Sequence, residues 1–221
     1  NDATGTVINS TKLTSTGNQN YGIYSAGTVG NSGNMDLSSG IGNVGIYSVG
    51  GGTATNTATI SVGASDAVNS LYGIGMAAGY TTTDKGNIVN NGTINVNGTN
   101  SIGMYATGLG STVTNNTTIN LNANNTTGIF LDNGATGINN GTITTGLSGL
   151  SGVLGVVLGR GATLTNTPTG VININSVNGA GVYLKGGTVA NYGTITVSGS
   201  GTTEIATMNS NPTTKTVGGV T

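Results

Sequence analysis

The chain has 221 residues, 42 of them Gly, with no Cys, His or Trp and a formal net charge of −1. Only 5% of its residues are charged, against roughly a quarter in an ordinary globular domain. That composition excludes disulfides, thiolate metal sites, imidazole chemistry and a basic face for nucleic acid or anionic lipid.

Read in chain order, the sequence returns to one landmark, an Asn opening an N-x-x-T-I unit. It stands at Asn9, Asn31, Asn56, Asn90, Asn115, Asn139, Asn166 and Asn191. The steps are 22 to 27 residues, except for one of 34 between Asn56 and Asn90. A second landmark, Gly followed by an apolar pair, lies between successive Asn positions. It occurs at Gly22, Gly45, Gly75, Gly103, Gly128, Gly155 and Gly181. Two landmarks keeping one period mark a structural unit used about eight times.

Each unit reads as short strands and turns. In Thr93-Ile94-Asn95-Val96 and Thr194-Ile195-Thr196-Val197 apolar and polar residues alternate, which sends Ile and Val to one face and Thr or Asn to the other. Strands of about four residues, joined by Gly and Asn with no helical period between them, predict an all-β parallel β-helix. It would have about eight coils of roughly 25 residues, with residues 1–221 as a single solenoid segment. Stacked equivalents then form an aliphatic column of Leu13, Met35, Ile60, Ile94, Ile119, Ile143, Ile172 and Ile195. The Asn series is expected to form an amide ladder that satisfies turn backbone groups. The most apolar run, Leu147 to Leu158, is broken by Gly149, Gly152 and Gly155 and is too short to cross a bilayer.

The stretches "GIYSAGTVGNSGNM", "IGMYATGLGSTVTNNTTINL" and "TGIFLDNGATGINNGTI" resemble the passenger repeats of large fusobacterial type V autotransporter adhesins. The resemblance extends over nearly the whole chain. It implies a right-handed β-helix exported across the outer membrane of a Gram-negative bacterium and displayed for attachment to host cells or other bacteria. It also implies an internal segment of a longer passenger, anchored through a C-terminal barrel that this sequence does not include. The expected partner is a surface protein or glycan, with no nucleic acid and no membrane insertion of this segment.

Other functions are less well served by the residues. Glycoside hydrolysis on a polysaccharide-active β-helix needs two carboxylates about 5 to 10 Å apart. The acids Asp2, Asp36, Asp66, Asp84, Asp132 and Glu204 never occupy equivalent sites on adjacent coils. No catalytic, cofactor-binding or metal-ligating residues are therefore assigned, and the chain is not expected to be an enzyme. Ice binding would use a flat Thr array, but the outward face mixes Thr, Asn and Ser and is interrupted by Val171. A purely structural spacer remains the alternative to an adhesin.

Three features are candidates for recognition. An aromatic column stands two residues after the repeated Gly at Tyr24, Tyr47, Tyr105, Phe130 and Tyr183, with Ala77 and Val157 filling its other positions. Its neighbours Ile129 and Leu131 should point inward, so the aromatics should face out. The 34-residue unit adds Ser65 to Ser70 and Tyr80 to Gly86, which brings Tyr80, Asp84 and Lys85 into loops, where function concentrates on a rigid scaffold. Asp132, Arg160 and Lys185 follow the same strand in three units and are expected to form a charge ladder.

Overall fold

The alternation in T-I-x-V forms the strand Thr93–Val96, with Ile94 and Val96 fully buried and Thr93 and Asn95 turned outward. The same geometry recurs on every coil. The computed structural model describes residues 2–208, and within them the chain is all β. Three parallel sheets of eight strands run side by side as a β-solenoid of eight coils. The first sheet runs from Thr6–Asn9 to Thr188–Asn191, the second from Leu13–Thr14 to Thr194–Ser198, and the third from Tyr21–Ser25 to Thr203–Thr207. Eight strands at about 4.8 Å make each sheet about 34 Å long from first strand to last.

Register is kept by like stacking on like. Met35 pairs with Ile60, Ile60 with Ile94, Ile94 with Ile119, Ile119 with Ile143 and Ile143 with Ile172, so the second sheet carries the expected aliphatic column. Its end members, Leu13 and Ile195, are only partly buried. These side chains meet Leu131, Leu158 and Ile88 from the other two sheets in one continuous core.

At the end of each strand of the first sheet the Asn amides are joined in a chain. Each Nδ2 donates to the Oδ1 of the next Asn, from Asn9 to Asn191, at 2.7 to 3.0 Å. Asn56, Asn115, Asn139 and Asn166 also donate to the turn carbonyls of Ala58, Thr117, Gly141 and Gly170. Each buried amide in the middle of the rod thereby has both donor and acceptor occupied, which is what makes burial of an Asn column tolerable.

The repeated Gly has a steric cause. A Cβ on Gly103 would lie 2.6 Å from the carbonyl oxygen of Gly128 and 2.7 Å from Ile119 Cγ2. Gly45, Gly75 and Gly128 meet the same two obstacles, a carbonyl of the neighbouring coil and an Ile of the second sheet. The third sheet therefore approaches the aliphatic column so closely that no side chain fits there. Alternation breaks at this Gly: Gly45 and the buried Ile46 both face the interior, so Val44 and Tyr47, on either side of them, both face out.

Candidate functional site

That local break gives the outer face of the third sheet two columns of large side chains. Val44, Ile74 and Ile102 form one column, and Tyr47, Ala77, Tyr105 and Phe130 form the other. Together they make an apolar cluster separate from the core, with Tyr47, Tyr105 and Phe130 packed over it. The column lacks a ring at Ala77, and Tyr47 leans across, its Oη donating a 2.9 Å hydrogen bond to the Gly79 carbonyl.

The long coil raises walls at both ends of the strand Ile74–Ala78. Before it, Asp66 and Leu71 pair through two backbone hydrogen bonds of 2.7 and 2.9 Å to form a tight hairpin. The Asp66 carboxylate caps its turn by accepting from Asn69 Nδ2 at 2.6 Å and from the N–H groups of Val68 and Asn69. Those bonds hold the Asp66 carboxyl below its ordinary range, the Asn69 side chain contributing most. Gly73 N–H donates to the Ser65 hydroxyl at 2.8 Å across the hairpin's base, and Ser65 joins it to the next coil, its N–H donating to the Thr99 carbonyl at 2.9 Å and its hydroxyl lying 3.1 Å from that of Ser101. After the strand, Tyr80 projects from the second excursion and is 71% exposed.

Between these walls lies a groove of about 560 Å³, within the size range of ligand pockets. Tyr21, Tyr47, Tyr72, Tyr80, Tyr105 and Phe130 are the aromatic residues of its lining, and no charged residue lines it. Tyr24 abuts the same cluster, edge-on to both Tyr21 and Tyr47 at 5.8 and 5.5 Å, while Tyr21 stacks on Tyr47 at 6.0 Å. Tyr105 and Phe130 form a further edge-on pair at 5.6 Å. The chain has eight Tyr and one Phe, and six Tyr and the Phe gather here. Burial raises the phenol pKa of Tyr47 and, to a lesser degree, of Tyr105, so both stay neutral through the physiological range.

The structure thus unites two features read separately from the sequence. Tyr47, Tyr105, Phe130 and Tyr80 line one groove, with Tyr24 beside it. Tyr183 belongs to the same column but stands beyond Val157, outside the lining. Asp84 and Lys85 lie on the other side of the second excursion. Asp84 Oδ1 accepts from Gly50 N–H at 2.8 Å, and the Lys85 carbonyl accepts from Gly51 N–H at 2.6 Å, so both tie the loop to an earlier coil. Asp84 Oδ2 is buried without a hydrogen-bond partner.

Sequence reasoning missed Tyr21 and Tyr72. A signal existed at the residue preceding the repeated Gly, where Tyr21, Val44, Ile74 and Ile102 form an apolar column. The expected charge ladder is out of register. Asp132 aligns with Gly159 and Lys185, and its Oδ1 accepts from the backbone N–H of Arg160 at 2.9 Å. Among the described residues no three acidic side chains come together as a metal-ligand group.

The fold and the groove define a parallel β-solenoid shaft with an aromatic cleft built onto its outside. Residues 37–146 match the family model of the BigA third pectate lyase-like domain, just under half of the chain. The matched span includes the groove strands from Val44 to Phe130 and both excursions of the long coil. No curated relative and no solved structure matches the chain.

Proposed function

We propose that the chain is a segment of a bacterial surface passenger that mediates attachment, its solenoid holding the aromatic groove away from the cell that carries it. The similarity of residues 37–146 to a pectate lyase-like β-helical domain supports a surface protein built on this shaft. The observation that carries attachment is the gathering of six of eight Tyr and the sole Phe at one groove. Rings that served only to stiffen the shaft would be spread along its coils. Rigid aromatic surface framed by loops is instead the kind of surface that anchors a partner.

In this reading the protein acts at the surface of a Gram-negative bacterium, without catalysis and without a cofactor, on a receptor of a host cell or another bacterium. Beads coated with the segment should adhere to such cells, and soluble segment should compete. Because no charge lines the groove, adhesion should change little on raising salt from about 0.1 to 1 M, over which the Debye length falls from about 10 to 3 Å. Beads that never adhere would leave the segment as a spacer.

A further inference from the structure

The groove's lining narrows what it can hold. Its floor and walls are Val44, Ile74, Ile102 and tyrosine rings, with the amide of Gln19 and the hydroxyl of Ser70 at the edge. A charged ligand would lose water there and find no countercharge, which is costly for any ionised group. An extended peptide would also fit poorly. The strands under the groove from Val44–Ser48 to Thr127–Asp132 are paired on both sides, and only Tyr21–Ser25, at the groove's end, has a single partner among the described residues, so the floor between the walls offers no free edge for strand addition.

What remains in number is aromatic faces with phenol hydroxyls at their margins. Tyr21, Tyr72 and Tyr80 are 53%, 46% and 71% exposed, so their faces are open to a ligand. Pyranose rings match this pattern: their C–H faces stack on aromatic rings, and their equatorial hydroxyls exchange hydrogen bonds with phenols and amides. The groove extends over five consecutive strands from Tyr21 to Phe130, four spacings or about 19 Å along the rod. That is room for several linked sugars and far more than one.

Resting on the attachment reading, we infer that the groove binds a neutral oligosaccharide laid along the rod axis, with Tyr72 and Tyr80 closing on it from opposite walls. Neutrality is the specific claim. A chain of uronates would bring a carboxylate per sugar into a lining that has no Lys or Arg.

The chain has no Trp, so its intrinsic emission comes from Tyr, and six of its eight Tyr stand at the groove. Titrating the 221-residue chain with tetrasaccharides of glucose, galactose, mannose and N-acetylglucosamine should give a saturable change in tyrosine emission for at least one of them. Galacturonate tetramers should bind at least about tenfold more weakly, a difference of about 1.4 kcal/mol. Tyr72→Ser and Tyr80→Ser should each weaken neutral-sugar binding about tenfold with melting unchanged, while Tyr183→Ser and Tyr192→Ser should leave it intact. No response to any neutral tetramer, or galacturonate binding as tightly, overturns the inference. If coated beads still adhere in that case, and protease treatment of the target cells removes adhesion where periodate does not, attachment stands and the ligand is a protein. If a neutral tetramer binds at the groove but beads do not adhere, the sugar assignment stands and attachment falls.

Discussion

The phenol of Tyr47 donates to the carbonyl of Gly79, 32 residues further along and one coil away. This bond places a ring over Ala77, the position where the column itself has none, and so seals the floor of the groove. The groove is therefore a product of three local irregularities acting together: the Gly that turns two columns outward, the Ala that leaves a gap, and the long coil that walls it.

Removing that hydroxyl should weaken the shaft more than the ring packing. Tyr47→Phe keeps the stacking on Tyr21 but leaves the buried Gly79 carbonyl without this donor. The expected loss is about 1 kcal/mol, read as a lower denaturation midpoint with an unchanged slope.

Alkaline pH should act through the same residue. Burial raises the Tyr47 and Tyr105 phenols above their ordinary value near 10. In the unfolded chain both phenols ionise first, so the stability they contribute is complete below about pH 10 and is lost as pH rises toward their folded values. Melting temperature should hold to about pH 10 and then fall. Tyr47→Phe should soften that fall, and an identical profile in the variant would show that the Tyr47 phenol does not carry it.

Two glycines separate packing from backbone conformation. At Gly103 an added methyl meets a carbonyl and Ile119, whereas at Gly149, where φ is +77°, nothing stands within 4 Å. Gly149→Ala should cost only the conformational penalty of about 1 to 2 kcal/mol. Gly103→Ala should cost several kcal/mol, because two rigid elements must separate. Equal melting of the two variants would contradict the close approach of the third sheet to the aliphatic column.

The period, the coil count, the inward Ile column and the Asn ladder were all legible in the sequence, because a solenoid repeats each environment once per coil and each coil restates the same residue choice. Ile94, Ile119 and Ile143 say the same thing three times, as do Asn90, Asn115 and Asn139. The groove was legible only in parts, since it stands where the long coil breaks the repeat. Tyr72 lies in a hairpin with no counterpart on other coils, and Tyr21 was hidden by strict alternation, which the Gly at 22 interrupts. Asp84, read as a recognition residue, proved to anchor its loop to Gly50 because a backbone donor 34 residues away has no signature in the chain.

Asp84 offers its own test. Its Oδ1 does the anchoring, while its buried Oδ2 has no hydrogen-bond partner. Asp84→Asn keeps the acceptor for Gly50, so its melting temperature should stay close to that of the wild type. Asp84→Ala loses the anchor and should be less stable by about 1 kcal/mol. A strong loss in the Asn variant would mean that the carboxylate charge is itself needed there.

The groove's role in attachment is most directly measured by comparing two doubly substituted segments in the bead adhesion assay. Tyr72→Ser with Tyr80→Ser changes the two exposed walls, and Tyr183→Ser with Tyr192→Ser changes the same number of tyrosines outside the groove. Both should melt close to the wild type. Adhesion should fall by at least about tenfold in the first pair and stay at the wild-type level in the second; wild-type adhesion in the first pair, or an equal loss in both, would contradict the assignment of attachment to this groove.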